Sequence, residues 1–280
     1  MALTVRTNIA SIRASNRLNS TQSSLTSSLE RISSGLRVNR AADDAAGMSV
    51  ATRMDSDNTS LKQAIRNAND GISMIQTAEG GLNEIYNILV RMRELSVQAS
   101  NETYNSQDRA LIDTEFTELA SEIERIASIA NFNRQEILSA TTTMTLQIGI
   151  QNNGDNQLDI ALSTIAATLG ALSLNDSNVA ASGITTLARA QSAIDVIDAA
   201  LNSVNTRRSR LGSFQNRLEN AINEATNYSE NLASSASQIL DVDYAEESAN
   251  MTRYQIMQQA GVAALGQAKA IPQSVVSLLS

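Results

Sequence analysis

LARAQSAIDVIDAALNSVNTRRSRLGSFQNRLENAINEATNYSENLASSASQI, residues Leu187 to Ile239, decides the fold. Alternate steps of three and four from Leu187 reach Ala190, Ile194, Ile197, Leu201, Val204, Arg208, Leu211, Gln215, Leu218, Ile222, Ala225, Ser229, Leu232, Ala236 and Ile239. Only Arg208, Gln215 and Ser229 interrupt a small or apolar seam. A 3.5-residue period held this long is the pattern of a helix lying along other helices. At 1.5 Å per residue such a helix spans on the order of 80 Å, so the reading is of an elongated molecule.

The composition agrees with long helices: one Pro and 12 Gly in 280 residues. There is no Cys, His or Trp. Thiolate chemistry, Cys/His metal sites, His-based triads and disulfides are therefore excluded. A formal charge of −8 and a pI near 4.7 argue against a nucleic-acid backbone as partner. No apolar run reaches the ~20 residues of a membrane helix, so no membrane insertion is expected. The start, Met1-Ala-Leu-Thr-Val-Arg-Thr-Asn-Ile-Ala10, lacks the apolar core of a signal peptide.

Working towards the N-terminus, Ile112, Phe116, Leu119, Ile123, Ile126 and Ala130 keep 4-3 spacing. A helix before them carries Leu61, Ile65, Ala68, Ile72, Ile75, Leu82, Tyr86 and Leu89, with a bend expected at Gly80-Gly81. A second stripe beside it, Ile85, Ile88, Met92 and Leu95, is read as surface meeting something outside the monomer. Between the helices the period changes. Met144, Leu146, Ile148 and Ile150 alternate, Asn152-Asn-Gly-Asp-Asn156 turns, and Leu158, Ile160 and Leu162 alternate again. That is a β-hairpin at about 141–162. Residues 163–181 read as a mixed small and polar connection.

The ends differ from the middle. Val5, Ile9 and Ile12 form one stripe and, after a phase slip, Leu18, Leu25, Leu29, Ile32 and Leu36 continue it. Eleven Ser, Thr and Asn residues crowd positions 11–28, and at roughly 0.5 kcal/mol each they oppose the helix by about 5 kcal/mol. This segment needs a partner for its stripe. At the other end Asp243 and Glu246 have capping-box spacing, and Tyr254, Met257, Gly261, Leu265 and Ala268 form a stripe. Pro272 is expected to end or kink that helix before the apolar tail Val275, Val276, Leu278 and Leu279. The fold class is thus mainly α: an elongated antiparallel helical bundle with one small hairpin, plus a coiled coil of the N- and C-terminal helices. The expected domains are 1–40 with 241–280 for assembly, and 41–240 as a helical rod. Two apolar ends on one rod are the plan of a polymerising subunit.

The same residues resemble bacterial flagellin along nearly the whole chain. The resemblance is carried by Leu29-Glu-Arg-Ile-Ser-Ser-Gly-Leu-Arg-Val-Asn39, Asp43-Asp-Ala-Ala-Gly47, Arg66-Asn-Ala-Asn-Asp-Gly-Ile-Ser73, Arg93-Glu-Leu-Ser-Val-Gln-Ala99 and Asn131-Phe-Asn133. In the C-terminal half it is carried by Gln215-Asn-Arg-Leu218, Ser229-Glu-Asn-Leu232, Gln258-Gln-Ala-Gly261 and Ile271-Pro-Gln-Ser-Val-Val-Ser-Leu-Leu279. It implies a subunit that polymerises with itself into the flagellar filament for swimming, with terminal helices that fold on assembly. Ile9, Ile12, Leu18, Leu25, Leu29, Ile32, Tyr254, Met257, Leu265, Val275, Val276, Leu278 and Leu279 are the expected assembly core. The resemblance also implies type III export without a cleaved signal peptide, an extracellular location, no cofactor and no catalysis. Implied partners are the flagellar cap and hook-junction proteins and an export chaperone at the C-terminal segment. Only about twenty residues separate hairpin and long helix, so no outer domain is expected.

Leu89, Arg91, Arg93, Glu94 and Leu95, with Glu115, resemble the flagellin surface read by the vertebrate Toll-like receptor for flagellin, with Val90 where Gln is common. The plainer reading is intersubunit packing. Asp241, Asp243, Glu246 and Glu247 lack the Gly and distant Glu of a calcium loop and are read as helix capping. Arg207, Arg208 and Arg210 are read as a charged helix face in preference to an anion site. Asn58-Thr-Ser60 and Asn101-Glu-Thr103 are weak glycosylation signals. Two rival readings stand beside the filament subunit: a hook–filament junction protein, and a non-polymerising helical surface-binding or signalling protein.

Overall fold

The computed structural model describes residues 7–174 and 183–279, the last stretch, 271–279, as helical backbone alone. Five helices carry it: α1 (Ile9–Ser34), α2 (Ala45–Ala99), α3 (Ser106–Ile129), α4 (Leu187–Leu240) and α5 (Tyr244–Leu279). Four short strands sit between α3 and α4: β1 (Asn131–Phe132), β2 (Gln135–Glu136), β3 (Thr143–Gln147) and β4 (Gln157–Ala161). No described helix is long and apolar enough to cross a membrane.

The chain divides into two compact units, Met1–Asn58 with Glu230–Ser280, and Thr59–Ser229. In the second unit one apolar core joins α2, α3, α4 and the hairpin. Leu82, Ile85, Leu89, Met92 and Leu95 of α2 share it with Phe116 and Ile123 of α3 and with Ile197, Val204, Leu211 and Leu218 of α4. The hairpin β3–β4 pairs antiparallel, Met144 opposite Ile160 and Leu146 opposite Leu158. Leu158 and Ile160 are fully buried, so alternation fixes which face meets the helices. Its turn is closed by a 3-10 turn at Gly154–Asn156, capped by the Asn153 side chain.

Four expectations change. The second stripe on α2 is not an outside surface, because Ile85, Met92 and Leu95 are buried within the unit. α2 shares one core with α3, α4 and the 131–174 segment, so both stripes are used within the unit. Gly80-Gly81, expected to bend or weaken α2, does not interrupt it: the helix is continuous from Ala45 to Ala99. A Cβ at position 81 would stand 2.8 Å from Leu138 Cδ1, so that glycine admits a core side chain. The connection after the hairpin is core: a 3-10 turn at Leu162–Thr164 leads into Ile165, Ala167, Leu172 and Leu174, all buried. Its later part, 175–182, lies outside the described residues.

The fourth change is to the seam of α4. Its upper half buries Ala193, Ala200 and Arg207, one residue ahead of the expected Ile194, Leu201 and Arg208. Small residues there let α4 lie close to its neighbours, and the larger side chains flank the contact. Arg208 instead reaches Glu79 at 3.6 Å. Sequence reading also missed the β1–β2 pair, a two-residue hairpin whose turn residues Asn133 and Arg134 both take positive φ, 50° and 65°. That is the turn geometry whose twist suits a tight hairpin.

Candidate functional site

The first unit is built on α1 packed along α5. α1 begins at Asn8, whose side-chain oxygen accepts from the Ser11 N–H at 3.0 Å. The helix ends at Gly35 in the left-handed region, φ 74°, with its N–H on the Arg31 carbonyl. α5 begins at Asp243, whose Oδ1 accepts from the N–H groups of Ala245 and Glu246 at 2.8 and 3.2 Å. Asp243 thus caps the helix as expected, satisfying donors that a helix start leaves open.

The link between the helices is also tied down. Leu36 and Asp241 form an antiparallel bridge, with Arg37 N–H on the Leu240 carbonyl and Val242 N–H on that of Gly35. The Arg37 guanidinium donates to the Ile239 carbonyl, and the Tyr244 hydroxyl donates to that of Ile32 at 2.9 Å. Val38 is buried beneath. Periodicity carries no signal for such backbone pairings.

The seam is narrow. Buried or half-buried residues of α1 include Ala14, Leu18, Leu25, Ser28 and Ile32, and those of α5 include Glu247, Met251, Tyr254, Gln258, Gly261, Leu265 and Ala268. A Cβ on Gly261 would stand 3.2 Å from Leu18 Cδ1, so a larger residue there would press on that leucine. Buried Glu247 answers Arg31 at 3.8 Å. Gln258 Nε2 donates to Gln22 Oε1. Much of this interface is therefore small or polar.

Several expected assembly residues lie outside the seam. Ile9 is 53% exposed, Ile12 51%, Leu29 46% and Met257 42%. Met257 gives its place in the seam to Gln258, because a 3.5-residue repeat from Tyr254 to Gly261 takes the i+4 position. Ile256 and Val262, not singled out by the sequence, are exposed as well, at 61% and 56%. Leu18, Leu25, Ile32, Tyr254 and Leu265 do lie in the contact. Val5 and the side chains of Val275, Val276, Leu278 and Leu279 lie outside the described residues. Pro272 does not end α5, which continues to Leu279. A single missing N–H removes one helical bond and leaves the bonds on either side.

The second candidate surface lies on α2 and α3. Arg91 donates through Nε and Nη2 to Glu115 Oε1, at 2.9 and 2.7 Å, and through Nη1 to Glu94 Oε2 at 3.0 Å. The hydrogen bond to Glu115, then that to Glu94, holds the guanidinium pKa above its ordinary value. Arg93 turns the other way and grips Asp198 of α4, Nε to Oδ1 at 2.6 Å and Nη2 to Oδ2 at 3.3 Å. That contact depresses the Asp198 carboxyl. Asp198 was missed because it stands off the α4 seam, where periodicity says nothing of partners. Arg91, Arg93, Glu94 and Glu115 are exposed, whereas Leu89 and Leu95 are buried and belong to the core. Their side chains are closed off from solvent within that core.

Residues 5–143 match the bacterial flagellin N-terminal helical region, and residues 194–279 match the bacterial flagellin C-terminal helical region. A flagellin of Halalkalibacterium halodurans is 47% identical over 252 residues, 90% of either chain. The flagellar filament 33 kDa core protein of Treponema phagedenis is 39% identical over 97% of this chain and 98% of its own. A solved structure of a putative flagellar hook-associated protein from Vibrio parahaemolyticus, 13% identical, superposes with a TM-score of 0.58 over 71% of this chain and all of its own. At that identity the likeness is one of fold alone.

Proposed function

The chain belongs to the bacterial flagellin family and is a structural subunit of the flagellar filament, and from that premise we propose how its ends drive assembly. The observation that carries the proposal is the narrow α1–α5 seam with Ile9, Ile12, Leu29, Ile256, Met257 and Val262 left to water. Fully burying side chains of this size is worth roughly 1.5–3 kcal/mol each. Contact with other subunits supplies that burial, and mass action then couples the order of the terminal helices to polymerisation. Heterologous contacts that do not close into a ring extend as a helical polymer.

In this account 1–40 and 241–280 form the assembly domain, and 41–240 is the helical rod. Deleting residues 1–35 or 245–280 abolishes polymerisation while sparing the fold of Thr59–Ser229. Normal filaments from either truncation contradict the account. The family resemblance further supports export through the flagellar type III channel, and cap, hook-junction and chaperone partners. No catalytic role is assigned.

A second role rests on the exposed cluster of Arg91, Glu94 and Glu115. In sequence these residues resemble the flagellin surface read by the vertebrate Toll-like receptor for flagellin. Purified monomer stimulates a receptor reporter, and Arg91→Ala weakens the response. A reporter indifferent to Arg91→Ala removes this role and leaves intersubunit packing.

A further inference from the structure

Arg207 is the buried cation that the filament account does not use. It lies in the α4 seam, 9% exposed, where an apolar residue would ordinarily sit. Its Nη2 donates to the Ala171 carbonyl at 2.6 Å and its Nε to Ser203 Oγ at 3.2 Å, but buried Nη1 has no hydrogen-bond partner among the described residues. Among the described residues no carboxylate pairs with it. Burial and the nearby Arg210 both lower its pKa. A buried charge without a counter-charge is costly, and the cost falls when an anion arrives.

The surroundings suit an anion. Ser203, Thr206, Arg207 and Arg210 stand at i, i+3, i+4 and i+7 on one face of α4, and Ser163 and Thr164 face them from the 3-10 turn after the hairpin. Together these six residues line an open pocket of about 370 Å3, and among the described residues none that line it is acidic. Arg210 is exposed and makes no ion pair among the described residues. Thr164 and Thr206 donate their hydroxyl protons to the Ala161 and Asn202 carbonyls, so the donors left are the guanidinium of Arg210 and the hydroxyls of Ser163 and Ser203.

We propose that this pocket is an anion site for a phosphate-class oxyanion, held by Arg210 and the serine hydroxyls and drawn in by the buried charge of Arg207. Arg210 supplies charge-assisted bonds, which a planar guanidinium makes well to such oxygens. Nη1 of Arg207 is covered by protein, so its fork must shift towards the ligand to bond it. Since one water takes about 30 Å3 of liquid, the pocket holds an oxyanion together with part of its hydration or with the carbon chain of an ester.

Isothermal titration of the full-length chain with inorganic phosphate, and separately with glycerol 3-phosphate, tests this against chloride at equal ionic strength. Saturable binding is expected, weakened about tenfold by Arg210→Ala and lost in Arg207→Met. Binding of both compounds assigns the group whatever carries it; binding of inorganic phosphate alone assigns the free ion. No saturable binding by the wild type overturns the proposal, as does unchanged affinity in Arg210→Ala. If Arg207→Met does not fold, Arg210→Ala decides alone, since its side chain is exposed.

Discussion

The side-chain amide of Asn8 donates to the Ala268 carbonyl at 2.7 Å, and that carbonyl is the one Pro272 deprives of its helical donor. The same side chain caps α1 through its oxygen. One residue thus satisfies a helix start and a helix gap on two chain ends 260 positions apart. An end or a kink is expected at Pro272; the helix does not end there, and Asn8 answers the carbonyl that the missing N–H leaves open.

Asn8→Ala removes both bonds and weakens the α1–α5 pair by about 2 kcal/mol, roughly 1 from the cap and the remainder from the unmet carbonyl. Pro272→Ala restores an N–H at position 272, so the loss on Asn8→Ala is smaller in that background. A double-mutant cycle read by amide exchange of α1 checks this; additive effects rule the coupling out.

The paired glycines of α2 separate by the same logic. Nothing lies within 4 Å of a Cβ at position 80, while one at 81 meets fully buried Leu138. Gly80→Ala raises stability by about 1 kcal/mol in urea denaturation. Gly81→Ala gains nothing or loses, because Leu138 has no free space to enter.

Leu95 and Arg91 also part company. Leu95→Ala opens a cavity in the core and costs about 2–5 kcal/mol. Arg91→Ala, at the surface, leaves the unfolding midpoint nearly unchanged. Thermal denaturation of the two variants distinguishes them. A loss of assembly or receptor response in Leu95→Ala therefore reports on folding before it reports on contact.

Acid sensitivity follows from Asp198 and Glu122, whose carboxyls are depressed by hydrogen bonds from Arg93 and Arg125. A depressed group contributes stability above its unfolded pKa, about 4, and loses it as pH falls through the lower folded value. Both carboxyls are exposed, so the effect is small and screened by salt. Asp198→Asn loses less stability than wild type between pH 7 and pH 3 at low salt.

What the sequence made legible was what repeats. The 54-residue α4, the helices before it and the alternation around Met144 and Ile160 all follow from period. Phase was harder. The period places Arg207 outward and Arg208 in the seam, because a run of 3-4 steps does not say where small residues let helices close. Met257 and Gln258 exchange places for the same reason, and no hydrophobicity scale chooses Gln over Met. Partners across elements, such as Arg93 with Asp198 or Asn8 with Ala268, depend on three-dimensional register and leave no local trace. Resemblance places Leu89 and Leu95 on a surface, yet both apolar stripes of the helix are used within the unit.

The central claim is that apolar residues left out of the α1–α5 seam are buried between subunits. Leu29→Asp combined with Val262→Asp tests it directly, since both side chains are exposed in the single chain. Circular dichroism and the unfolding midpoint of the monomer stay close to wild type, while seeded polymerisation followed by light scattering and electron microscopy is abolished. Filaments forming at the wild-type rate and length from that double variant contradict the account.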